Sequence, residues 1–180
     1  MNKRLEIRLA GSGGQGLITG ARILFEAFAM EGKRAAQSQS YEPTSRGGFC
    51  YSDLILSEDA TDYPLVTGLD VLIALDQTGA DRSGAMVKPG AVVIYDESLV
   101  ARPPSGDYQM HPLPLNAQAV AAGSARSANI VALGAYAALS GACSLKTLED
   151  AIRRETSSRF VATNLEAARA GARLGQRATA

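Results

Sequence analysis

The sequence predicts an α/β fold: a single three-layer domain with a mostly parallel, Rossmann-like sheet and helices on both faces. Three observations predict it. Segments of strand pattern alternate with segments of helical period along the chain. Two strands, Asp70 to Leu75 and Ala91 to Tyr95, are continuously apolar, as strands covered on both faces are. The first strand runs through the glycine run Gly11-Ser12-Gly13-Gly14-Gln15-Gly16 into a helix, which is how a βαβ unit opens. At 180 residues the chain fits one domain, 1–180, with a full core.

Leu5 to Ala10 alternates apolar and polar residues and reads as the first strand. From Leu17 to Met30 the apolar positions Leu17, Ile18, Ala21, Leu24, Phe25 and Phe28 recur at helical spacing, and Glu31-Gly32 closes that helix. Lys33 to Ser38 is the second strand. Residues 37–48 lack both periodicities and carry a proline and a glycine pair, so they read as a loop at a strand's carboxyl end. Phe49 to Ser57 is a third strand, and 58–64 an exposed, charged connection. After the apolar strand at Asp70, a weaker helix spans Gln77 to Val87, and Lys88-Pro89-Gly90 turns into the strand at Ala91. Residues 96–106 are loop. Tyr108 to Leu113 is a short edge strand, since Pro112 and Pro114 exclude a central one. The last third is helical: 116–122, the almost wholly apolar 128–142, the amphipathic 145–155, and a final helix opened by the capping box Thr163-x-x-Glu166 and running to about Leu174. Residues 175–180 are expected to fray.

Composition narrows the function. A formal net charge of zero provides no electrostatic footprint for nucleic acid. No apolar run is long enough for a transmembrane helix, and the amino-terminal stretch lacks a secretory pattern, so the cytoplasm is the expected compartment. Cys50 and Cys143, the only cysteines, are too few for a disulfide framework or for an iron–sulfur cluster held by this chain alone. With one histidine, His111, and two distant cysteines, no metal-ligand spacing exists. His111 has no acid placed beside it by sequence and reads as a surface or packing residue. Ser12, Ser38 and Ser40 have no visible base, and Asp53 and Asp76 read as capping or salt-bridging groups. No catalytic residue is assigned, and this is a chain that binds rather than reacts.

Gly11, Gly13 and Gly16 fit G-x-G-x-x-G, in which bare backbone N–H groups approach an anion at a helix start. The acid that would hold a dinucleotide's ribose is missing. Gln37, Ser38, Gln39 and Ser40 occupy its place, with no carboxylate before Glu42. The loop therefore reads as a phosphate site, with a tight turn alone as the alternative. Arg46 beside Gly47-Gly48 presents a guanidinium and open N–H groups to a phosphate or carboxylate. Pairing with Glu42 or with another subunit is its other reading.

Gly11 to Gly16, together with Gln37-Ser-Gln-Ser-Tyr41 and Ser45-Arg-Gly-Gly48, resembles the gamma subunit or gamma domain of the 2-oxoacid:ferredoxin oxidoreductases. That group contains the pyruvate, 2-oxoglutarate, 2-oxoisovalerate, indolepyruvate and phenylglyoxylate enzymes. The likeness continues through Asp70 to Gln77, Ser127 to Gly134 and Asn164 to Gly171. One departure stands out. The family pattern places a glycine and a glutamate after the tyrosine, where this chain has Glu42 and Thr44. The resemblance implies a complex of alpha, beta and delta-type subunits that supply thiamine diphosphate, Mg2+ and [4Fe-4S] clusters, with electrons leaving to ferredoxin or another acceptor. It implies that the gamma chain holds none of these itself, closes over the entry of coenzyme A, and helps the complex to assemble. The residues expected at the coenzyme A phosphates or a subunit interface are Gly11, Ser12, Gly13, Gly14, Gln15, Gly16, Gln39, Ser40, Tyr41, Arg46, Gly47 and Gly48. Nucleotide binding by a free-standing oxidoreductase and a purely structural role are the alternatives. Neither nucleic acid nor membrane is an expected partner.

Overall fold

The computed structural model describes residues 4–41, 47–57 and 65–179. Six strands form one sheet in the order β2-β3-β1-β4-β5-β6: β1 (Leu5–Ser12), β2 (Ala35–Tyr41), β3 (Phe49–Leu56), β4 (Leu69–Ala74), β5 (Val87–Asp96) and β6 (Gln109–Leu113). β3 is antiparallel to both of its neighbours, while β1, β4, β5 and β6 pair parallel. Every strand but β3 therefore points the same way. The sheet is mostly parallel, as expected.

Helix α1 (Leu17–Met30) ends in a Schellman motif: Gly32 N–H donates to Ala29 O at 3.0 Å and Lys33 N–H to Phe28 O at 3.0 Å, with Gly32 at φ 75°. α1, α3 (Leu115–Ala121), α4 (Ala128–Ser140), α5 (Leu145–Glu155) and α6 (Ser158–Ala178) share one core with Ile7, Leu9, Leu54 and Ile73 of the sheet. The other face packs Ala10, Leu72, Ala74 and Val93 against Ala80 of the short helix α2 (Gln77–Ser83). Its approach is very close, since a Cβ at Gly79 would lie 2.6 Å from the Ala10 carbonyl. Helices thus cover both faces, unequally.

Several boundaries differ from the sequence reading. The weaker helix, expected to run to Val87, ends at Ser83, with Gly84–Met86 as a single 3₁₀ turn and Val87 already in β5, and α4 stops at Ser140, not 142. The second strand reaches Tyr41 instead of yielding to loop at Gln37. As the edge of the sheet it leaves Gln39 and Ser40 exposed, so it needs no apolar face there to stay paired with β3. Lys88-Pro89-Gly90 lies within β5 as an irregularity, where pairing jumps from Leu69–Val87 to Val71–Val92. The final helix begins at Ser158, not at the Thr163 capping box, and runs beyond Leu174 to Ala178. Thr163 and Glu166 lie inside it, and Glu166 accepts from Arg173 at 3.0 Å instead. A capping pattern is four residues of local sequence, whereas α6 is extended by its packing along α4.

Glu6, 1% exposed, ties the approach to β4 onto β1. It accepts from Thr67 N–H at 2.8 Å, Gly68 N–H at 2.9 Å and Arg4 Nε at 2.7 Å. Burial alone would raise its pKa, but the Gly68 and Thr67 amides, Arg4 and Lys88 together hold it below the ordinary carboxylate value. A folded pKa below the unfolded one, about 4.3, gives stabilisation complete above that value and lost as pH falls through the folded one. Glu6→Gln is therefore expected to lower the thermal midpoint at neutral pH, with the gap to the parent closing below about pH 4. Melting curves from pH 7 to 3 check this; a constant gap contradicts it.

Candidate functional site

The carboxyl ends of β1 and β4 meet where the chain leaves the sheet toward opposite faces, β1 into α1 and β4 into α2. Ligands of doubly wound sheets bind at such a switch point. The glycine run sits there. Gln15 folds back so that its Oε1 accepts from Ser12 N–H at 2.8 Å. A Cβ at Gly11 would lie 2.1 Å from that oxygen, so a side chain there would displace the Gln15 amide from Ser12 N–H. Gly14 and Gly16 have φ of 99° and 71°, a region costly for L side chains. Gly13 and Gly14 are exposed at the rim.

Asp76 locks the two strand ends together. Its Oδ2 accepts from Ser12 Oγ at 2.5 Å, and its Oδ1 caps α2 by accepting from Gly79 N–H at 2.9 Å. Asp76 thus caps, one of the two roles its position suggested. Asp53 takes the other: it forms a bidentate pair with Arg8, Nε to Oδ1 at 2.7 Å and Nη2 to Oδ2 at 2.8 Å.

The second predicted segment reaches the first. Gly13 N–H donates to Gly48 O at 2.9 Å, and Gly47, with φ 77°, lies beside it at the rim. Gly11, Ser12, Gly13, Gly14, Gln15, Gly16, Gly47 and Gly48 are thus gathered in one place. Gln39, Ser40 and Tyr41 are not. They lie on β2 and reach the glycine run only across β3, in the row Tyr41–Cys50–Gly11. Two strand spacings, roughly 10 Å, separate them from it. Arg46, like Glu42 and Thr44, lies outside the described residues.

The same row bears on the dinucleotide alternative. A ribose-binding acid works at the end of a second strand adjacent to the first; here β3 intervenes. The end of β2 is too far from the glycine turn for that role, whatever residue it carries.

Asn129, in the first turn of α4, was not singled out by residue chemistry. It is 4% exposed, and its Nδ2 donates to Gly16 O at 2.8 Å, binding α4 to the start of α1. A lone amide in an otherwise apolar helix was the available signal. Its Oδ1 is buried without a partner. Beside it opens a cleft of about 620 Å³ between the starts of α1, α4 and α6, sharing Gly14 and Gly16 with the rim. A smaller hollow of about 250 Å³ lies on the other side of Gly14 and Gln15, toward Asp96 and Asn116.

His111 is half-buried on β6, where burial lowers its pKa, and it has no acid partner among the described residues. Both cysteines are buried and free, with the Cys143 thiol pushed up to about 11 and that of Cys50 also raised by burial. Such thiols are poor ligands and poor nucleophiles. Among the described residues no group of three or more His, Cys, Asp or Glu side chains comes together. No described helix is long and apolar enough to cross a membrane.

Comparison with known proteins places the chain. Residues 6–174 match the family model described as pyruvate ferredoxin/flavodoxin oxidoreductase. The chain is 36% identical to the 2-oxoglutarate synthase subunit KorC of Archaeoglobus fulgidus, over 99% of this chain and 92% of that protein. It superimposes with a TM-score of 0.88, at 39% identity and 98% coverage of both chains, on the keto/oxoacid ferredoxin oxidoreductase gamma subunit of Geobacter sulfurreducens. The 2-oxoglutarate:ferredoxin oxidoreductase of Magnetococcus marinus, whose structure holds 2-oxoglutarate, coenzyme A and succinyl-CoA, matches with a TM-score of 0.86 at 26% identity. That match covers 98% of this chain and 32% of the other.

Proposed function

The chain belongs to the pyruvate ferredoxin/flavodoxin oxidoreductase family, and from that premise we propose that it closes the coenzyme A site of its complex. It is a gamma-type subunit of a 2-oxoacid oxidoreductase, an accessory chain of an enzyme whose working parts lie elsewhere. The complex converts a 2-oxoacid, coenzyme A and an oxidised acceptor to an acyl-CoA, carbon dioxide and the reduced acceptor. Thiamine diphosphate with Mg2+ and the [4Fe-4S] clusters reside in alpha, beta and delta-type partners, which supply the bond-breaking and electron transfer. Ferredoxin or a similar acceptor takes the electrons, and the complex works in the cytoplasm.

One observation carries the reading: two glycine hooks, the exposed Gly13-Gly14 and the exposed Gly47 with half-buried Gly48, joined by Gly13 N–H to Gly48 O at the carboxyl edge of the sheet. The rim's chemistry suits an anion, because the described carboxylates beside it are both engaged, Asp76 by Ser12 and Gly79 and Asp96 by Ser98, Leu99 and Asn116. A diphosphate laid along the rim meets backbone N–H groups other than those of Ser12, Gly13 and Gln15, which donate within the turn, and Arg46 precedes Gly47 in the sequence. This chain then orients coenzyme A and shields its path from water, holding no proton that the reaction moves.

Arg46→Ala in the assembled enzyme is expected to raise the KM for coenzyme A roughly 10- to 100-fold, as loss of a charge-assisted hydrogen bond does. The KM for 2-oxoglutarate, the substrate named for its relatives, should hold, as should kcat at saturating coenzyme A. An unchanged coenzyme A dependence removes the reading. Loss of assembly with unchanged kinetics in the residual complex would instead mark the loops as a subunit interface.

A further inference from the structure

We propose that the cleft between the starts of α1, α4 and α6 is a second anion site, built for the phosphate monoester of a ribonucleotide. The assignment to coenzyme A rests on the reading above; the anion site does not. Three helices of 14, 13 and 21 residues begin on its wall, at Gly16, Ser127 and Ser157, and at none of them does a side chain cap the first turn. Ser127 is diverted: its hydroxyl donates to Asn164 Oδ1 at 2.8 Å. The positive ends of α1 and α6 therefore border one space, joined by that of α4, whose first amide, Ala128 N–H, already donates to Ala125 O of the preceding 3₁₀ turn.

The side chains agree in sign. Arg22, Arg126 and Arg159 line the cleft, and Glu155 is the sole acid among the described residues that do. Glu155 is already paired with Arg22. Arg126 is exposed and makes no ion pair among the described residues, while Arg159 lies over the ring of Phe160, 4.4 Å from its centroid. A net positive, concave surface results.

Buried polar atoms refine the ligand. Asn129 Oδ1 and Thr156 Oγ1 are buried on this wall without a hydrogen-bond partner. An amide oxygen only accepts, so it requires a donor, and no phosphate dianion supplies one. A ribose hydroxyl next to a phosphate brings both donor and charge. Phe160, 43% exposed at the mouth, offers a face on which a base stacks. Anion, hydroxyl and ring together describe a nucleoside phosphate. In coenzyme A the phosphate monoester is the one on the ribose, and its diphosphate would lie on the adjoining rim through the shared Gly14 and Gly16.

Adenosine 3′,5′-bisphosphate titrated into the full chain by calorimetry should bind saturably, and adenosine should not. Arg126→Ala with Arg159→Ala should weaken the bisphosphate at least tenfold without shifting the melting midpoint. Absence of saturable binding, or equal binding by the double variant, overturns the site. In the assembled enzyme, the parent should use coenzyme A with a KM at least tenfold below that of its 3′-dephospho form, and the double variant should lose that preference at unchanged kcat. Equal use of the two by the parent, while Arg46→Ala still raises the KM, removes the assignment of this site to coenzyme A and leaves the coenzyme A reading of the rim. Arginine-dependent bisphosphate binding with no effect of Arg46→Ala does the reverse.

Discussion

Gly171→Ala is expected to destabilise the chain by more than about 3 kcal/mol, although a helix interior ordinarily gains about 1 kcal/mol from that change. The reason is the crossing of α4 and α6. A Cβ at Gly171 would sit 1.9 Å from the Val131 carbonyl oxygen, and one at Gly134 would sit 2.0 Å from that of Ala168. Gly175 repeats the contact at 2.6 Å from Ala135 O. These are backbone atoms and cannot swing aside, so the helices must part by more than an ångström along their buried length. Parting them strips contacts from Val131, Ala135 and Ala168, all fully buried. At about 2–4 °C per kcal/mol for a chain of this size, the thermal midpoint should fall roughly 6–12 °C. Gly134→Ala should act similarly, and the two together by less than their sum, because the first opens room for the second. A Gly171→Ala chain melting within a degree of the parent would mean that the crossing is looser than described.

The same crossing marks what could be read from sequence. The helix at 128–142, apolar nearly all round, had to be enclosed, and so it is. Its partner was less legible: the small residues of α6 signify nothing until α4 lies against them. At the switch point the glycine run and the apolar strands were readable because their signals are local, in torsions no side chain permits and in runs no surface strand carries. The reversal of β3 was not, since Phe49 to Leu56 fits either direction and its insertion between β1 and β2 is decided by the whole sheet. That insertion moved Gln39, Ser40 and Tyr41 away from the glycine run. The cleft was least legible of all, as Gly16, Ser127 and Ser157 are helix starts separated by most of the chain. Asn129 alone hinted at it.

Removing Asp53 should be the costliest single change among the polar residues, at about 3–5 kcal/mol. Arg8 and Asp53 are 6% and 4% exposed, on neighbouring positions of β1 and β3. The guanidinium is enclosed on every side: bidentate to Asp53, its Nη1 3.2 Å from Met86 Sδ, and its carbon 4.0 Å from the Tyr51 ring centroid. Asp53→Ala leaves that charge dry and unpaired, with only ring and sulfur to face it. Arg8→Ala strands the carboxylate instead, a similar loss. Replacing both by apolar residues of like size, Arg8→Met with Asp53→Leu, removes the desolvation along with the attraction, and should bring stability back to within about 1–2 kcal/mol of the parent. Urea unfolding of the parent, both single variants and the double completes the cycle. A double variant as unstable as either single would show that the pair holds β1 to β3 by its own attraction, and one as unstable as their sum would show no coupling between the two side chains. Near-recovery would show that the sheet needs the two charges only because each is present, and that Tyr51 and Phe49 beside them, 5.3 Å apart, already supply the packing.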